Sequence, residues 1–158
     1  MIVKTKKYKI PNSLYIKIGI QNILRMQWWI FPLVALFAMG TFFIKTIWFI
    51  VIALLFLTGY FLFWLAQFYG LTQLEENRPM FERVTYEING QQMVMQINAR
   101  QGIAIPWSEI KKAYKKETYF LLVVSKVQFF YLPFKIFNVE NEIKFFTTVL
   151  QRKGLLKQ

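Results

Sequence analysis

The sequence predicts a membrane α-helical hairpin joined to a small α+β domain, and three features predict it. From Trp28 to Tyr69 the only charged residue is Lys45. That stretch of about 42 residues is twice the roughly 20 a helix needs to cross a bilayer. After Arg83 apolar residues alternate as they do along strands, and after Asn138 they return to helical spacing.

Residues 1–27 read as a strand and an amphipathic helix. Ile2 to Ile10 is rich in β-branched and aromatic residues and is expected to pair with the later sheet. Pro11 ends it, and Asn12 or Ser13 is expected to cap a helix from Leu14 to about Met26. That helix either lies in the membrane interface or continues into the first span.

Residues 28–70 are expected to hold two transmembrane helices, about Gln27 to Phe43 and about Thr46 to Tyr69. Lys45 would sit at the tip, with Gly40-Thr41 as the alternative turn. Trp28, Trp29, Trp48, Trp64 and Tyr69 fall near the proposed ends, where amphipathic rings favour the headgroup zone. A signal peptide would be shorter and would end in small residues. Six Lys and Arg precede the block, one lies in it and thirteen follow. The positive-inside rule therefore puts both termini in the cytoplasm.

Residues 71–82 form a connector in which the second helix is expected to stop near Arg78, before Pro79. In the domain at 83–158, Asn89-Gly90 between alternating runs predicts a hairpin with a type I′ turn. Further strands are expected at Ile103–Trp107, about Ile110–Glu117, Tyr119–Val124 and Val127–Leu132. Pro133 ends the last of these, and Asn138 is the expected cap of a helix with Glu140 and Glu142 in its first turn. Val139, Ile143, Phe146 and Leu150 mark its apolar face and Gly154 its C-terminal cap.

The absence of Cys, His and Asp removes disulfides, thiolate nucleophiles, the usual zinc ligands and the side chain that titrates near neutrality. The eight carboxylates are all glutamates and form no catalytic pair, and no phosphate-cradling glycine loop is present. No enzyme, cofactor or metal is expected. Nor is nucleic acid, because the +12 charge is split around the apolar block in the way membrane topology requires.

The run "IPWSEIKKAYKKETYFLLVVSKVQFFYLPFKIF" followed by "ENEIKFFTTVL" resembles the YcxB-like family of bacterial membrane proteins. The likeness is carried by the Trp107-x-x-Ile110 step, the Ser125-Lys126 turn and Leu132-Pro133 before Lys135 and Phe137. The acidic start and Phe-rich face of the last helix complete it. The resemblance implies a pleckstrin-homology-like (PH-like) antiparallel sheet or partial barrel capped by the C-terminal helix, at the bacterial inner membrane.

In the soluble part Trp107 reads as core, since it follows Ile103 and Ile105 in an alternating strand. Lys111, Lys112, Lys115 and Lys116 form a basic cluster that reads either as a solvated face or as a contact for anionic lipid headgroups, worth about 1 kcal/mol per cation. Ala35, Ala38 and Thr41 with Ala53 and Gly59 let two helices pack but name no oligomer. The functional expectation is a non-enzymatic, multi-pass membrane protein that presents a cytoplasmic PH-like interaction domain to a protein partner. The alternative is binding of anionic headgroups by the four lysines.

Overall fold

The computed structural model describes residues 2–98 and 101–156. Its helices are α1 (Asn12–Met26), α2 (Ile30–Ala38), α3 (Gly40–Ile44), α4 (Trp48–Gln73) and α5 (Glu140–Arg152). Its strands are β1 (Val3–Lys4), β2 (Thr85–Ile88), β3 (Gln92–Asn98), β4 (Gln101–Pro106), β5 (Lys112–Lys115), β6 (Tyr119–Val123) and β7 (Phe129–Pro133). The strands form two antiparallel sheets, ordered β1-β2-β3-β4 and β5-β6-β7. The architecture is an α+β mixture.

The apolar block divides unevenly. Over its 26 residues α4 extends about 39 Å at 1.5 Å per residue. It is the one helix among the described residues long and apolar enough to cross a bilayer. The expected first span is instead two short helices, and Ile30–Ile44 reaches spanning length only together with α1, across a 66° bend. Pro32 sits in the first turn of α2, where proline is tolerated. The chain reverses at Lys45, which adopts the left-handed conformation at φ 50° and ψ 37°. The alternative turn at Gly40 is a helix junction, and a Cβ there would lie 3.0 Å from the Phe49 ring.

Several local expectations are corrected. The connector is a 3-10 helix, Glu75–Phe81, with Pro79 inside it. No continuation of α4 crosses it, because α4 ends at Gln73. Asn89-Gly90 does turn β2 into β3, but neither residue takes positive φ. The Asn89 side-chain oxygen closes the turn instead, accepting from the Gln91 and Gln92 amides, each at 2.8 Å. Pro11 caps α1 in place of Asn12 or Ser13, and its carbonyl accepts from the Tyr15 amide.

Asn138 is not the N-cap of α5; Val139 is, and it is exposed. The Asn138 amide side chain is drawn away to the Lys4 carbonyl at 2.9 Å. Glu142 reaches back to the Asn138 backbone amide at 2.7 Å, much as the glutamate of a capping box does. At the other end Gly154 takes φ 67°. The Leu155 amide donates to the Leu150 carbonyl and that of Gly154 to Gln151, the bond pair of a Schellman motif.

Between the sheets and α5 lies one apolar core. Phe146 is fully buried there against Phe120, Phe137 and Trp107. Trp107 is core, as expected, and its indole N–H donates to the Asn89 carbonyl at 3.1 Å. The N-terminal strand is short because its bonds go to two partners. Thr5 exchanges bonds with Tyr86, Lys6 donates to the Ile136 carbonyl, and Tyr8 pairs with Val84.

A second core joins α1 to the outer face of the second sheet and to the end of α4. Tyr15 stacks on Phe129 at 4.2 Å and donates its hydroxyl proton to the Val127 carbonyl at 2.6 Å. Gly19 lets the fully buried Phe68 lie against α1, since a Cβ there would stand 2.4 Å from the ring. Gly19→Val should therefore cost about 1–3 kcal/mol by overpacking, read as a lower thermal midpoint in detergent. Phe68→Ala in the same chain should cost less than it does in the wild type; strictly additive costs would sink the contact.

Candidate functional site

The strongest concentration of polar chemistry at a concave surface lies where α1 crosses β5 and β6. A cavity of about 190 Å³ opens there between Gln21, Asn22 and Arg25 on one wall and Tyr114, Lys116 and Tyr119 on the other. The spacing of α1 produces its wall: Tyr15, Ile18, Asn22 and Ile23 are buried, while Gln21 and Arg25 reach solvent at the rim. Asn22 is a polar residue in an apolar stripe and is 6 % exposed. Its amide donates to the Met26 sulfur at 3.7 Å, a weak acceptor. The Arg25 guanidinium lies 5.4 Å from the centre of the Tyr114 ring, a cation–π placement that orients it. Among the described residues, neither Arg25 nor Lys116 has a carboxylate in ion-pair range.

Strand alternation separates the four lysines of the basic cluster. Lys112 and Tyr114 stand opposite Val123 and Leu121, on the face that α1 covers, and Lys116 continues that side into the cavity. Lys111 and Lys115 alternate with them and flank the inward-facing Ala113. All four side chains are exposed, so the cluster is two pairs on two sides of a strand.

A second opening lies at the mouth between the sheets. Ile103 and Ile105 of β4 face Phe130 of β7 across a cavity of about 210 Å³, with Met80 and Met95 adding to its apolar lining. Among the described residues β4 pairs with β3 alone, so its outer side is a sheet edge. The outer edge of β5 is covered, because the Ala113 amide donates to the Leu155 carbonyl and Leu156 bridges Ala113 in parallel.

The tyrosines between these openings are held protonated. Burial pushes the Tyr15 and Tyr86 hydroxyls well above the ordinary tyrosine range, and a backbone hydrogen bond from Phe129 opposes the shift at Tyr15. Tyr15 therefore remains a donor to Val127 at neutral pH. Among the described residues no group of three or more acidic side chains could hold a metal ion.

The Trp107 to Ile110 corner, the Ser125 turn closed by its own hydroxyl and the capped last helix all fall within one continuous stretch of the chain. Residues 88–150 match the YcxB-like protein family. The YcxB-like stretch thus runs from the end of β2 almost to the end of α5 and takes in Trp107, Phe120, Phe146 and the four lysines. It leaves out β1, α1 and the apolar helices. No curated protein and no solved structure matches the chain.

Sequence reasoning placed the lysines but missed Asn22, Arg25 and Tyr114 as their neighbours. The available signal was Asn22 itself, four residues after Ile18 on the stripe that α1 buries.

Proposed function

We propose that the protein is a non-enzymatic membrane-tethered interaction module, held at the bacterial inner membrane with both termini cytoplasmic. One observation carries the tether: from Trp28 to Leu65 large apolar side chains lie open, among them Leu36, Phe42, Phe43, Leu55 and Leu62 at 60 % or more exposure. Isolated monomers rarely show apolar patches beyond a few hundred Å², and a bilayer would cover this one. In this reading α2 and α3, too short to cross without α1, form the second arm beside α4, and Tyr60 bonds Gln27 at 2.8 Å where the two arms meet α1.

The module is PH-like in this reading. Support comes from a four-stranded and a three-stranded antiparallel sheet enclosing one core, with a C-terminal helix packed into it. Its partner would be an extended apolar segment of another membrane protein, adding to the open β4 edge and filling the mouth beside Ile103. Backbone pairing at an edge supplies affinity and the flanking pocket supplies selectivity.

The runner-up, anionic headgroups on Lys111, Lys112, Lys115 and Lys116, is favoured by the exposure of all four. Crosslinking in intact membranes separates the two. Ile103→Lys places a charge on the edge, a device that blocks strand addition, and should remove the crosslinked partner. Glutamine at all four lysines should leave it in place. The opposite pattern would reverse the ranking.

A further inference from the structure

We propose that the cavity between α1 and the β5–β6 hairpin receives the phosphate of an anionic lipid headgroup, clamping the YcxB-like module to the leaflet. The inference rests on the membrane tether and is independent of the β4 edge.

Placement comes first. Arg25 is the last charged residue before the apolar block. Trp28 and Trp29, both more than half exposed, follow at once, so the rim near Arg25 lies at the height where aromatic belts and phosphates meet.

The chemistry fits an anion. Arg25 and Lys116 supply two positive charges, and among the described residues no carboxylate lines the cavity. Together they outweigh the roughly half negative charge at the C-terminal end of α1. Tyr114 holds the guanidinium, leaving N–H groups for the planar, two-point grip arginine makes on phosphate. Asn22, buried and bonded only to a thioether among the described residues, offers amide donors from the floor. At about 190 Å³ the space falls below the roughly 300–1,000 Å³ of drug-sized sites and suits one phosphate with a small substituent. The acyl chains would remain outside.

Lys112 lies on the same side of the sheet, whereas Lys111 and Lys115 lie on the other.

The test uses the full chain in mild detergent. Native mass spectrometry would count phosphatidylglycerol retained against phosphatidylcholine, with inorganic phosphate titrated in parallel. Arg25→Gln with Lys116→Gln should lower phosphatidylglycerol retention about ten-fold or more, as expected for two cations beside the phosphate. Lys111→Gln with Lys115→Gln, which removes equal charge, should change it less than two-fold. Both cavity residues are exposed, so each pair should keep the wild-type thermal midpoint. Asn22→Asp, which puts a negative charge on the floor, should reduce retention as well.

Equal losses from the two lysine and arginine pairs would overturn the proposal, since charge alone would then explain them. It would also fail if the cavity pair weakened inorganic phosphate while leaving the lipid unchanged. A chain that stays dispersed without detergent would defeat the tether itself, an outcome distinct from either.

Discussion

Phe146→Asp should unfold the α+β module. The side chain is fully buried, edge-on to Phe120 at 4.8 Å and within 6.0 Å of Phe137 and Trp107. Truncating a buried Phe to Ala alone costs about 3–5 kcal/mol. Aspartate adds the penalty of an unpaired buried charge, against a total stability of about 5–15 kcal/mol for an ordinary domain. Thr148→Asp, two residues along on the exposed face of α5, should be nearly silent. Limited proteolysis in membranes would show the difference: rapid cleavage after Arg83 in the first variant and a wild-type pattern in the second. Matching patterns in both would mean that α5 does not close the core.

Leu54→Arg together with Leu55→Arg should abolish stable membrane association. Both leucines are more than half exposed and lie within the open apolar run of α4 from Trp48 to Leu65. In water such substitutions fall within about 0.5 kcal/mol of neutral. At the centre of a bilayer each arginine costs about 2.5–3.5 kcal/mol. With green fluorescent protein fused after Gln158, the wild type should be bright and sediment with membranes, while alkaline phosphatase at that position stays inactive. The double arginine variant should leave the membrane fraction. Retention at the wild-type level would place this face of α4 outside the lipid and remove the tether from the proposed function.

What could be read from the sequence depended on how local its cause was. Gly154 as a helix terminator, Trp107 in the core and the turn between β2 and β3 all follow from a few neighbouring residues. The readings that failed share a different origin. Asn138 has the right chemistry for a cap, yet Lys4, 134 positions away, takes its side chain. Asn89-Gly90 turned the chain where expected, but through the Asn89 side chain rather than through positive φ. Hydropathy likewise located the apolar block but not its break at Met39 or the 66° bend after α1. Composition alone does not distinguish one long helix from two short ones.

The candidate cavity lay wholly beyond such reading. Arg25 and Tyr114 are 89 positions apart, and α1 carries no mark that it would lie on the second sheet rather than on the membrane. By itself the sequence determined the apolar block, the placement of charge around it and the alternation that makes strands, because each follows from solvation and periodicity along the chain. Tertiary structure alone decided that Gly19 would admit Phe68, that Tyr15 would pin α1 to β7, and that α1 would cover the side of β5 that carries Tyr114 and leads to Lys116. Those outcomes are set by shape complementarity between distant surfaces, and the contacts that produce it exist only after the chain has closed on itself.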